Sequence, residues 1–115
     1  PTQVKAAKRT GAATIELHTG GYATAATPSA RARELAALHR AAEQGRALGL
    51  AVAAGHGLDY DNVGTILEIP EIEELNIGYA IIVRALSVGL KRAVAEMADL
   101  VHQGVTHATP TLQAT

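Results

Sequence analysis

His56 stands between two glycines, in Ala54-Gly55-His56-Gly57-Leu58, directly after the apolar run 50–54. An imidazole with an ordinary pKa of about 6.5 both gives and takes protons near neutrality. Glycine on either side lets the backbone turn sharply and come close to a ligand. The run before it reads as a buried strand, so the pattern displays an acid/base group at the carboxyl end of a strand. In α/β proteins that is where ligands bind. The competing reading is a histidine that merely satisfies a turn. Two further strings carry polar side chains on strand-like patterns: Glu16 and His18 in Ile15-Glu16-Leu17-His18-Thr19-Gly20, and Asn76 in Glu74-Leu75-Asn76-Ile77-Gly78. No histidine pair has metal-ligand spacing, and no carboxylate pair has an evident catalytic arrangement.

The elements that must position these residues alternate. Residues 2–10 read as the end of a helix stopped by Gly11 in the left-handed conformation. Residues 12–19 read as a strand with Ile15 and Leu17 on one face and Glu16 and His18 on the other. Gly20-Gly21 breaks it. Thr27 is an expected N-cap, with Pro28 at the first helical position. Leu35, Leu38, Ala42, Gly45 and Leu48 continue at helical spacing to Gly49. After the 50–54 strand, Asp61 is expected to cap a short helix ended by Pro70. Residues 74–78 form a third strand and 79–86 a short extra helix. Leu90, Val94, Met97 and Val101 then mark a long amphipathic helix. The tail, 105–115, has no period and is expected to be disordered, leaving residues 1–104 as the folded part. His39 and His102 fall on predicted helices and His107 in the tail, all expected to face solvent.

Composition narrows the class. Within 115 residues the apolar share is 48% and the aromatic share 3%, so one modest core of Ala, Val, Leu and Ile is expected. Ten Lys and Arg against 11 Asp and Glu leave a formal net charge of −1, which supports neither nucleic-acid nor membrane binding. Arg31, Arg33, Arg40 and Arg46 make one side of the middle helix basic, read here as a solvated face. With no cysteine there is no disulfide framework and no thiolate site, which fits a cytoplasmic protein. The apolar stretch 75–90 is interrupted by Asn76, Arg84 and glycines, and falls short of the ~20 residues of a bilayer span. The chain opens on Pro1 in mid-pattern, so a fragment of something longer is expected.

Helix-strand alternation argues for a parallel sheet with right-handed crossovers. A doubly wound sheet and a (β/α) barrel both satisfy it. The first is covered on both faces and wants strands that are apolar throughout. Glu16 with His18, and Glu74 with Asn76, put polar residues on one face of two strands, which favours a barrel. A whole barrel takes eight strands and about 250 residues, so this chain would be its last part.

The strings quoted above, together with Tyr22-Ala23, Ala80-Ile81-Ile82, Arg84-Ala85-Leu86 and Gly89-Leu90, closely resemble the pyridoxine 5'-phosphate synthase family from Pro1 to about Gln103. The resemblance implies a (β/α)8 TIM barrel, of which this chain holds the sixth to eighth strands and their helices. It implies condensation of 1-deoxy-D-xylulose 5-phosphate with 3-amino-2-oxopropyl phosphate to pyridoxine 5'-phosphate, phosphate and water, in vitamin B6 biosynthesis. It implies no metal or redox cofactor, phosphorylated small-molecule substrates, and a homo-oligomer, typically an octamer.

Carried over position by position, the resemblance makes His56 the proton donor and places Gly57 and Gly78 at the aminoketone phosphate. Glu16, His18, Thr19 and Asn76 match family motifs and are expected to play a supporting role. Tyr79 departs from the usual histidine beside the same phosphate. A backbone N–H contact survives that change, and the tyrosine hydroxyl can still donate. Ala53 departs from the usual asparagine and removes a polar side chain from the barrel interior. The Asp-His pair, further histidine, glutamate and arginines of the family lie on earlier strands, so the 115 residues alone are expected to be inactive. Two rivals remain open: a non-catalytic phosphate-binding half-barrel that self-associates, and another phosphate-handling barrel enzyme.

Overall fold

The computed structural model describes residues 2–108, and the side chains of residues 2–104. In chain order the elements are α1 (Thr2–Arg9), β1 (Thr14–His18), α2 (Gly20–Thr24), α3 (Pro28–Ala47), β2 (Ala51–Gly55), α4 (Val63–Ile66), β3 (Glu74–Asn76), α5 (Tyr79–Val88) and α6 (Leu90–Ala108). The three strands form one parallel sheet in the order β1-β2-β3. This is a mixed α/β arrangement with a helical crossover between successive strands. No helix among the described residues is long and apolar enough to cross a membrane.

Local chemistry explains the element ends. Lys8 and Arg9 occupy the last turn of α1, where positive charge suits the helix dipole, and Gly11 follows with φ +85°. Thr27 caps α3: its hydroxyl accepts from the Ala30 amide at 3.1 Å, and Pro28 supplies the preset φ of the first turn. The short helix after β2 begins differently from expectation. Asn62, not Asp61, is the N-cap residue, and the Asp59 carboxylate accepts from the amides of Asp61 and Asn62, each at 2.9 Å. Asp59 thus makes an Asx-type turn that leads into the helix at Val63. Gly20-Gly21 does break β1, but by opening α2 rather than a loop.

Register sorts the side chains by face. Glu16 lies beside Ala53 and Ala53 beside Glu74, while His18 lies beside Gly55 and Gly55 beside Asn76. All six therefore share one face of the sheet, because side chains alternate along a strand. The other face carries Leu17, Val52 and Ala54, which pack with Leu38 and Ala42 of α3, and with Tyr22, Leu58, Ile66 and Ile69. That is the core. Fully burying its Val, Leu and Ile side chains stabilises by ~1.5–3 kcal/mol each.

Of the stripe expected on α6, Met97 is buried and Val101 half-buried, whereas Leu90 and Val94 are exposed; Ala93, outside that stripe, is also buried. Their helix packs chiefly on α5, of which no residue is buried. His39 is half-buried rather than solvent-facing, and His102 is exposed. α6 continues to Ala108, and the remainder of the predicted tail, with the His107 side chain, lies outside the described residues.

Candidate active site

His56 follows β2 directly, and its backbone takes φ +89°, with Gly57 next at +74°. A non-glycine residue at positive φ costs roughly 1–2 kcal/mol and persists only when its surroundings impose it. The surroundings here come from both sides. Thr19, fully buried at the end of β1, donates its amide to Gly55 O at 2.8 Å. Its hydroxyl lies 2.8 Å from Gly55 O and 2.6 Å from His56 O, the two carbonyls sharing one donor. On the far side, Asn62 donates Nδ2 to Gly57 O at 3.0 Å, and the buried Tyr22 hydroxyl donates to Asn62 O at 2.8 Å. Gly57 has a steric requirement besides its φ: a Cβ there would meet the Ala23 Cβ at 2.8 Å.

The His56 ring stacks on that of His18, with centroids 4.4 Å apart and planes 24° apart. The Gly20 amide donates to His18 Nδ1 at 3.3 Å, which fixes that ring on the end of β1. Gly20 makes room for the pair, since a Cβ on it would sit 2.5 Å from His18 Cε1 and 3.0 Å from His56 Cδ2. Beside the stack, Asn76 Nδ2 donates to Glu16 Oε2 at 2.6 Å. That bond joins β1 to β3 across the middle strand. Only small residues, Ala53 and Gly55, lie under it on β2, and a Cβ on Gly55 would come within 3.1 Å of Glu16 Oε1.

These groups open into one cleft of about 1040 Å³ at the carboxyl ends of the strands. Glu16, His18, His56, Gly57, Asn76, Gly78 and Tyr79 all line it. Every candidate singled out from the sequence therefore meets at one place, with Thr19 buried behind the wall. Gly78 is the N-cap residue of α5 and makes no side-chain cap, which leaves the first-turn amides of a ten-residue helix at the cleft. Tyr79 points outward and is 87% exposed. Ala53 is buried beside the Glu16–Asn76 bridge, and its small side chain accommodates that bridge.

Arg84 also reaches the cleft wall, but its guanidinium is held by Glu96 of α6: Nε donates to Oε2 at 2.8 Å and Nη2 to Oε1 at 3.3 Å. Arg92 donates to the same carboxylate at 2.9 Å. The hydrogen bond from Arg84, and then that from Arg92, hold the Glu96 carboxyl below the usual range, and the bond to Glu96 raises Arg84 in return. The basic side of α3 is mostly exposed as expected. Arg46 pairs with Glu73, and the Arg31 guanidinium lies 5.6 Å from the Tyr22 ring centre. Among the described residues, no three His, Cys, Asp or Glu side chains gather as metal ligands.

Sequence reasoning missed the roles of Tyr22 and Asn62. Asn62 carried a signal, an Asx residue directly before a helical pattern. Tyr22 carried only its place in the Tyr22-Ala23 string of the resemblance and its rarity, as one of three tyrosines in a chain nearly free of aromatics.

A family model described as pyridoxal phosphate biosynthesis protein PdxJ matches residues 1–103. A pyridoxine 5'-phosphate synthase of Synechococcus sp. is 56% identical over 97 residues, covering 84% of this chain and 41% of the relative. One of Magnetococcus marinus is 52% identical over 103 residues, covering 90% of this chain and 42% of the relative. The chain thus spans about two fifths of the length of these curated relatives. With nearly all of its length matched, the chain belongs to the pyridoxal phosphate biosynthesis protein PdxJ family.

Proposed function

We propose that this chain forms the last part of a (β/α)8 barrel, with β1, β2 and β3 as its sixth, seventh and eighth strands and residues 1–104 as the barrel portion. The whole enzyme condenses 1-deoxy-D-xylulose 5-phosphate with 3-amino-2-oxopropyl phosphate to pyridoxine 5'-phosphate, phosphate and water. The observation that carries this reading is the placement of His56, strained and exposed, at the carboxyl end of the middle strand beside the start of α5. One covered sheet face and one polar open face also favour a barrel over a doubly wound sheet.

In this reading His56 is the proton donor. Imine formation, dehydration and ring closure each need protons delivered and removed, and an imidazole does both. The backbone amides of Gly78, Tyr79 and the next residue of α5, with Gly57, bind the aminoketone phosphate through N–H groups and the helix dipole. Glu16 and Asn76, joined to each other, and His18 shape the wall facing the substrate. No metal or redox cofactor takes part. The whole enzyme is a cytoplasmic homo-oligomer, an octamer in this reading. The test is formation of pyridoxine 5'-phosphate from the two substrates by a full-length synthase carrying these 115 residues, with none formed by the residues alone.

One observation favours a second reading, a phosphate-binding half-barrel that self-associates. α5 exposes Tyr79, Ile82, Val83 and Leu86, the last 84% exposed, and an apolar hollow of about 560 Å³ lies between β3 and α6. A contiguous apolar face of this kind marks an interface. Solution size separates the two: a stable dimer of the chain supports the half-barrel, and a monomer argues against it.

A further inference from the structure

We propose that Thr19 is the positioning residue for His56: its buried hydroxyl holds the strand end in the turned conformation that brings the two histidine rings into contact. The role rests on the proton-donor reading of His56 given above. Two carbonyls, Gly55 O and His56 O, converge on the one Thr19 hydroxyl at 2.8 and 2.6 Å. In an extended strand successive carbonyls point to opposite sides. They converge here because the chain reverses at His56, where φ is +89°. Thr19 is fully buried; its bond to Gly55 O is buried with it, and that to His56 O partly so.

The same residue adjoins His18, whose ring lies 4.4 Å from that of His56. His18, the last residue of β1, and Thr19 just after it therefore fix both the ring face and the backbone of the candidate proton donor. The Thr19 amide separately holds Gly55 O at 2.8 Å. Loss of the hydroxyl thus leaves the β1–β2 pairing intact and frees the His56 carbonyl alone. Asn62 holds Gly57 O from the opposite side and limits the motion to His56 itself.

The experiment compares Thr19→Ser, which keeps the hydroxyl, with Thr19→Val, which keeps the shape and removes it. Ring-proton NOEs between His18 and His56 are read in the chain, and turnover is read in a full-length synthase that carries it. Thr19→Val is expected to lose the NOE and to lower kcat on the order of 100-fold at nearly constant KM, the loss expected of a reacting group displaced by about 1 Å. Thr19→Ser is expected to keep the NOE and to recover kcat to within about threefold, a small residue of that displacement loss. If the valine variant does not fold, as judged by amide dispersion, Thr19→Ala takes its place with the same expectation. An undiminished NOE and kcat without the hydroxyl overturns the proposal, and so does a serine variant as impaired as the valine. Absence of turnover in the unsubstituted synthase counts against the enzymatic reading instead. The NOE series still decides whether Thr19 positions the ring.

Discussion

The rings of His18 and His56 lie face to face, 4.4 Å between centroids, although they come from different strands. The contact depends on the missing side chain of Gly20. A methyl there would reach 2.5 Å from His18 Cε1, and the ring, as the free end of a side chain, is what moves. Gly20→Ala is therefore expected to abolish the ring-proton NOE between the two histidines. The fold is expected to survive at a cost of about 1–3 kcal/mol, the usual range for overpacking. Chemical denaturation and the NOE, measured on the same sample, check both halves. A retained NOE contradicts the steric account.

At Tyr79, where the resemblance expects a histidine, the side chain is 87% exposed while the amide opens the α5 helix. If backbone N–H groups carry the phosphate, the side chain matters little. Tyr79→His in a full-length synthase is expected to raise affinity for 3-amino-2-oxopropyl phosphate by less than about tenfold, the equivalent of ~1.4 kcal/mol. Calorimetric titration measures it. A larger gain means that an imidazole contact, not the helix terminus, dominates binding.

Glu96 joins α5 to α6 through Arg84 and Arg92, and its pKa is lowered in the folded chain, chiefly by the hydrogen bond from Arg84. A carboxyl with a lowered folded pKa contributes stability that is complete above its unfolded value, about 4.3. That contribution is lost as pH falls through the lower folded value. The stability difference between the protein and Glu96→Gln is therefore expected to be positive at pH 7 and to shrink toward zero as pH drops below about 4. High salt at pH 7 is expected to reduce it, because the groups are partly exposed. Urea midpoints at the two pH values test this, and a pH-independent difference contradicts it.

Which features were legible in the sequence follows from the range of the forces involved. Thr27-Pro28 announced the start of α3, and Gly49 its end, because caps and stops are local chemistry. The glycine-flanked His56 was placed correctly at a strand end because an apolar run and its terminating glycines are also local. The stacking of His56 on His18 was not legible. It depends on β1 and β2 pairing with His18 beside Gly55, a register set by the whole core. The Glu16–Asn76 bond likewise needs three strands in register before its partners meet. Asp61 was expected to cap α4 because it is an Asx residue in the right neighbourhood, but Asp59 closes the turn and Asn62 takes the cap. Leu90 and Val94 share the helical period with Met97, yet they are exposed in the described structure while Met97 is buried. Periodicity reveals that a face is apolar and leaves open what covers it.

In the proposed function His56 supplies protons in the cleft at the strand ends. The most direct test of this role is steady-state turnover of a full-length synthase carrying these residues, with His56 intact and as His56→Asn. The amide replaces the ring with a side chain that neither gives nor takes protons near neutrality, and asparagine tolerates positive φ better than most residues. The account predicts that kcat falls by about 10²–10⁴, the range for loss of a general acid, while substrate affinity, set by the amides of Gly57 and the α5 terminus, stays nearly the same. Turnover within a few fold of the unsubstituted enzyme would contradict it.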